Sequence, residues 1–196
     1  IITPPFVVGL GLILLFGRAG VVNQAMESVV MGDENIWAKL YEDYILEKKV
    51  PWIEESQYLK MGQMYAYIKN NRIGQKAYNL TLGTVKGDTI KTNELKSDFT
   101  ILYFFNPDCA SCQVQLPKLK DEVYAKYKDK GVEVITINIG KGKEDWIKYL
   151  EDGGFTDWIN CEDFNYKSEY WMHYDTSGVP SVFVLDKNKT IVAKKV

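Results

Sequence analysis

Residues 100–117 read TILYFFNPDCASCQVQLP, and the order of this stretch decides the fold. Thr100–Phe105 is a continuous apolar run, as expected of a strand covered on both faces. The turn-forming Asn106-Pro107-Asp108 follows, and then a helix is predicted from about Cys109 to Lys130. Cys109 and Cys112 stand three positions apart in the first turn of that helix. Helix starts leave backbone N–H groups unpaired and carry the positive end of the helix dipole, so both effects favour a thiolate there. Cys109, the more N-terminal, is expected to have the lower pKa, the greater exposure and the role of nucleophile. Cys112, one turn inward, would then resolve a mixed disulfide and leave a 109–112 disulfide behind. Pro117 is expected to kink the helix.

Working outward, a second buried run, Val132–Ile139 (VEVITINI), follows the helix. Lys143–Glu151 reads as a helix ending at Gly153-Gly154, and a short helix is predicted around Asn165–Trp171. Ser181–Leu185 and Thr190–Val196 read as strands joined by a turn at Asp186–Asn188. Upstream, Tyr78–Leu82 alternates and Lys86-Gly87-Asp88 supplies a hairpin turn. Strands alternating with helices in this way predict an α/β fold, with a βαβ core holding a parallel pair and closing on an antiparallel hairpin.

Before Gly74 the texture is helical. Asp33 is a plausible N-cap, followed by Ile36, Trp37, Leu40, Tyr41, Tyr44 and Ile45 at helical spacing, and Pro51 closes the segment. A second helix reads from about Glu54 to Asn70, with Tyr58, Met61, Tyr65 and Ile68 along one packing stripe. Asn70-Asn71 and Gly74 mark the exit. The expected organisation is therefore a helical part over residues 1–73 and an α/β domain over 74–196.

The balance of charge excludes one class of function. The chain has 24 basic and 26 acidic side chains, for a net charge of -2. Residues 1–73 hold 7 and 8 of them, so neither part carries a basic block to neutralise phosphates, and nucleic acid is not an expected partner. Three cysteines do not make a disulfide framework. The chain begins at Ile1 and not Met, as a processed or trimmed chain would. Its run from Phe6 to Phe16 (FVVGLGLILLF) lies in an uncharged stretch that ends at Gly17 and includes Pro4 and Pro5. A membrane span needs about 20 apolar residues, so a buried helix is the favoured reading and a remnant of an anchor the alternative.

Gly178-Val179-Pro180 stands just before the strand Ser181–Leu185. A proline entering a central strand is tolerated at its first position, and a cis bond there would be a tight turn. With this element in place, Gly74–Val196 resembles the TlpA/ResA-like thiol–disulfide oxidoreductases of the AhpC/TSA-like thioredoxin superfamily. GQKAYNLTL is similar to that family's entry strand and TNELKS to the following loop. FNPDCASCQVQLPKLK resembles its active-site strand and helix, KDKGVEVITINI the next strand, and SGVPSVFVLDKNKTIVAKK its cis-proline hairpin. The resemblance implies a thioredoxin fold, a central mixed β-sheet flanked by helices, preceded here by a mainly α-helical N-terminal segment and lacking the family's final helix. It implies disulfide exchange with protein substrates through a redox-active Cys109–Cys112 disulfide and no other cofactor or metal. Pro180 would lie against the cysteines, with the backbone of Val179 free to pair with an extended substrate. The implied partners are protein thiols and disulfides and an upstream thiol-redox partner. The implied location is the periplasm or cell envelope, where such modules are either soluble or held by a membrane tether outside the chain.

Residues beside the cysteines depart from the family pattern. Asp108 replaces a frequent Trp, and a carboxylate there is expected to raise the Cys109 pKa and offset part of the helix-end effect. Gln115 replaces a frequent Glu near the inner cysteine and cannot titrate. Ala110-Ser111 replaces the common Gly-Pro between the cysteines, and Pro107 completes the set of residues that tune the pair. Position 106 is Asn, not the Thr that a peroxidase needs three residues before its cysteine. Two other readings stay open: a non-catalytic thioredoxin-fold adaptor, and a Cys₃His zinc site from Cys109, Cys112, Cys161 and His173. Cys161 is expected to be a small buried residue, and His173 a packed or surface side chain among Tyr170, Trp171 and Tyr174.

Overall fold

A computed structural model describes residues 38, 41–46, 53–140, 142–165 and 167–194. The chain divides into two compact units, Ile1–Ile68 and Lys69–Val196. The expected apolar helix over Ile1–Gly17 and the predicted positions Asp33, Ile36, Trp37 and Leu40 lie outside the described residues.

In the first unit Tyr41–Ile45 forms one π-helical turn. Helix α1 spans Glu55–Asn70 and has the Gln57 side chain accepting the Glu54 N–H at its start. Three of the four predicted stripe positions pack as expected: Tyr65 is buried, its ring stacks on Tyr41 at 4.5 Å, and Met61 and Ile68 lie against the same cluster, while Tyr58 is half-buried outside it. Tyr65 also donates its hydroxyl to the Glu42 carboxylate.

The second unit is built on a seven-stranded mixed sheet with the order β2-β1-β5-β4-β3-β6-β7. Its strands are β1 (Thr81–Thr84), β2 (Thr89–Lys91), β3 (Phe99–Phe105), β4 (Val132–Asn138), β5 (Ile159–Glu162), β6 (Ser181–Asp186) and β7 (Ile191–Lys194). The helices longer than three residues are α2 (Ala110–Lys118), α3 (Lys143–Asp152) and the short α4 (Tyr170–His173). β4 runs parallel to β3 and β5, β6 runs antiparallel to β3, and β7 runs antiparallel to β6 at the edge. This is a thioredoxin fold.

The pleat of β3 explains why it reads as one apolar run. Ile101, Tyr103 and Phe105 enter one core cluster, with Cys112 and Leu116 of α2 and Trp146 and Leu150 of α3. Leu102 and Phe104 enter another, with Leu80, Leu82, Tyr170, Tyr174 and Phe183. Successive side chains point to opposite faces, and both faces are covered. Fully burying one such side chain contributes about 1.5–3 kcal/mol, so β3 anchors both layers. Gly131, between α2 and β4, holds φ 77°, and a Cβ there would strike the Asp98 side chain. Its carbonyl accepts the N–H groups of Asp98 and Phe99, which starts β3 beside β4.

Several boundaries differ from the predicted ones, each for a local reason. The helix from Cys109 to Lys130 is broken into pieces: after Pro117 the chain passes through a π-helical stretch, Leu119–Tyr124, and ends in a 3₁₀ turn, Lys128–Lys130. Proline has no N–H to continue the ladder, so the predicted disturbance takes this form. The helix predicted around Asn165–Trp171 begins only at Tyr170, because the Asp163 carboxylate accepts the N–H groups of Lys167 and Ser168 and holds a turn there. β1 starts at Thr81 and not Tyr78, since Leu80 N–H is taken by the Thr92 hydroxyl. The strand β5 had no counterpart in the sequence reading. It is four residues long, with Asn160 and Cys161 in place of branched residues.

Candidate active site

β3 ends at Phe105 and delivers the chain to the sheet's C-terminal edge. Asn106 organises the turn there: its side-chain oxygen accepts the Asp108 N–H and its carbonyl accepts the Cys109 N–H. Gly140, in the loop after β4, has no Cβ to collide with the Asn106 side chain that packs on it. Cys109 takes the N-cap position of α2 in extended backbone, and its carbonyl accepts the Gln113 N–H at 3.0 Å. Gln113 also donates its side-chain amide to the Pro107 carbonyl, tying the first turn to the preceding loop.

The two thiols stand in opposite surroundings. Cys109 is half-buried and Cys112 is buried. The Cys109 pKa is lowered, chiefly by the backbone N–H of Cys112, with Ser111 assisting, in the manner of a helix start. Burial pushes the Cys112 thiol up to about 12. The expected counter-push from Asp108 is absent: that carboxylate is exposed, and burial is what opposes the lowering of the Cys109 pKa.

Across the site, Val179–Pro180 is a cis peptide bond. Cys109 Sγ donates to the Val179 carbonyl oxygen at 3.4 Å, so two segments seventy residues apart meet at this sulfur. Gln115 lines a groove of about 560 Å³ with Asp175, Ser177, Val179 and Pro180. Ala110 and Ser111 are exposed on the first turn of α2, and Pro107 is buried beneath it.

Cys161 and His173 lie elsewhere. Cys161 belongs to the cluster on the face of the sheet opposite Cys112. The His173 ring stacks on Tyr78 at 3.4 Å, and burial lowers its pKa. Among the described residues no three His, Cys, Asp or Glu side chains are gathered to hold a metal ion. The sequence reading overlooked Tyr103 and Tyr149, whose pKa values are raised by burial first and then by the nearby charges of Cys112 and Cys109. The signal was present in the period of two along β3, which places Tyr103 on the face that α2 covers.

A family model described as thioredoxin-like matches residues 96–191, which takes in β3, the cysteine pair and the cis-proline. A domain of a possible thiol–disulfide isomerase from Cytophaga hutchinsonii is 33% identical, with a TM-score of 0.59 over 63% of this chain and 84% of that one. The chain belongs to the thioredoxin-like family. Other relatives extend this thioredoxin-like assignment. A thioredoxin-like protein from Bacteroides caccae is 26% identical with a TM-score of 0.73, over 84% of this chain and 58% of that one. The thiol–disulfide oxidoreductase ResA of Geobacillus kaustophilus is 27% identical over 116 residues, 59% of this chain. The chain spans 64% of that relative's length.

Proposed function

We propose that the chain is a thiol–disulfide oxidoreductase that works through the Cys109–Cys112 dithiol on protein disulfides. The observation that carries the reading is the asymmetry of the pair, a lowered and accessible Cys109 three residues ahead of a buried, raised Cys112. The Cys109 thiolate attacks a substrate disulfide, forms a mixed disulfide and releases the first substrate sulfur, which takes up a proton. Cys112 then attacks Cys109 Sγ; the second substrate sulfur leaves with the proton that Cys112 loses, and the 109–112 disulfide remains. Two electrons pass to the substrate, and an upstream thiol partner returns them. No cofactor beyond this disulfide is needed.

Val179 and Pro180 border the groove beside Cys109, and an extended substrate pairs there through its backbone. Such binding is tolerant of sequence, as an enzyme acting on several proteins requires. Asp108, Ala110, Ser111, Pro107 and Gln115 surround the pair and set its potential. The setting proposed is the cell envelope or periplasm, from the likeness to envelope modules. Among the described residues no helix is long and apolar enough to cross a membrane.

Reduction of insulin by the purified chain, with a dithiol as electron source, tests the reading. Wild type is expected to accelerate precipitation of the insulin B chain, and Cys109→Ala to fall to the uncatalysed rate. An inactive wild type, or an active Cys109→Ala, would leave the adaptor reading in its place.

A further inference from the structure

Two phenols belong to the core cluster around the inner cysteine. Among the described residues, the hydroxyl oxygens of Tyr103 and Tyr149 are both out of contact with solvent and without a hydrogen-bond partner. Tyr103 is only 2% exposed and shares a cluster with Cys112, Leu116 and Phe105. Tyr149 comes from α3, and its ring meets Phe105 at 5.9 Å, which in turn meets Tyr103 at 6.1 Å. A strand and a helix thus bring two buried hydroxyls to the core cluster that holds Cys112. A buried, unpartnered hydroxyl costs stability, and phenylalanine would fill the same space without that cost. The hydroxyls therefore need a reason that apolar packing does not supply.

Their surroundings point to one. Both phenols are affected by charge on Cys112 and on Cys109, and burial keeps both protonated at any working pH. They can donate hydrogen bonds but cannot act as bases. Cys112 has a matching need: its attack on the mixed disulfide requires a thiolate, which its burial opposes. Besides burial, the groups that act on Cys112 are the Asn106 N–H from the preceding loop and its own N–H, which favour the thiolate, and Cys109, which opposes it. Gln115, further along α2, has no ionisable proton to exchange.

We propose that Tyr103 and Tyr149 are positioning residues of the dithiol site, holding their hydroxyls ready to donate to the Cys112 sulfur as it becomes a thiolate. In the dithiol neither hydroxyl bonds the Cys112 sulfur, which as a neutral thiol would be a weak acceptor. A thiolate binds them as charge-assisted hydrogen bonds, which are about twice as strong as neutral ones. The phenols keep their protons throughout. The proton that Cys112 gives up leaves with the second substrate sulfur, as the overall exchange requires. This inference rests on the oxidoreductase reading for its purpose, but its chemistry can be measured without a protein substrate.

Reaction of the full reduced chain with Ellman's reagent provides the test. The reagent places thionitrobenzoate on Cys109, and attack by Cys112 releases it in a second, coloured step. Tyr103→Phe and Tyr149→Phe are each expected to slow that second step about tenfold at neutral pH and to move its pH profile upward, because one lost donor to a thiolate is worth roughly one unit of pKa. The first step and the melting temperature should not fall, since each variant also removes an unpartnered hydroxyl. An unchanged second step and pH profile in both variants would overturn the proposal. Should a variant fail to fold, the Cys109→Ala chain with labelled tyrosine gives the answer directly. The ring carbon bearing each hydroxyl is expected to follow the Cys112 titration, and flat signals through that step would overturn the proposal equally. Insulin reduction by wild type is read alongside: its absence counts against the oxidoreductase reading, while an unmoved second step counts against the phenols alone.

Discussion

Cys112 and Cys161 are both buried, and burial pushes each thiol up to about 12, yet they lie on opposite faces of one sheet and differ in everything else. Cys112 has a second cysteine one helical turn away, backbone N–H groups around that partner, and two hydroxyls in its core cluster that lack a partner among the described residues. Cys161 has Leu80, Leu82 and Ile137 as company in its cluster, and Asp88 and Glu162 as the charges that oppose its ionisation. A raised thiol therefore says little by itself. What separates a working cysteine from a packed one is whether the neighbouring atoms can receive the charge that chemistry puts there.

The comparison can be broken most severely from the packed side. Phe104 is fully buried and contacts Tyr170, Tyr174 and Phe183 by ring edge or tilt. Phe104→Ala should cost about 3–5 kcal/mol in urea unfolding, the amount typical of a large core side chain lost to a cavity. The folded fraction should nonetheless keep the reactivity of Cys109, since the deletion falls on the other face. A variant that unfolds no more easily, or that loses Cys109 reactivity while still folded, would join two faces that we hold to be separate in role.

A milder test uses pH. Cys109, with its lowered pKa, should be alkylated by iodoacetamide well below pH 9, the ordinary value of a thiol. Cys112 and Cys161 should stay protected until far higher pH. The sign for stability follows from the same shifts. A thiol whose pKa is raised on folding contributes stability that is present below its unfolded value and is lost as pH rises toward the folded one. The reduced protein should accordingly weaken between about pH 9 and 12, followed by circular dichroism at fixed urea. Equal reactivity of all three cysteines at neutral pH would erase the contrast.

The sequence showed the face that carries the cysteine pair more fully than the opposite one. An apolar strand, a turn, two cysteines at a helix start and a proline before a later strand each leave a local signature, and their joint order placed Cys109, Cys112, Val179 and Pro180. The strand holding Cys161 left none, because four residues with Asn160 among them carry no clear period. Its register is fixed from outside, by pairing with β4 and by Asn160, whose amide donates to the carbonyls of Phe155 and Trp158. The part played by Tyr103 and Tyr149 was likewise hidden, since a tyrosine in a core strand reads as bulk until the positions of its neighbours are known. Asp108 misled for a related reason: adjacency in sequence suggested an influence that exposure to water weakens.

The most direct measurement is a redox titration of the full chain against glutathione buffers, with the bonded cysteines located by mass spectrometry of peptides from trapped samples. The account predicts a single two-electron transition that joins Cys109 to Cys112 and leaves Cys161 as a free thiol at every potential. A disulfide that includes Cys161, or no disulfide between 109 and 112 under oxidising conditions, would contradict it.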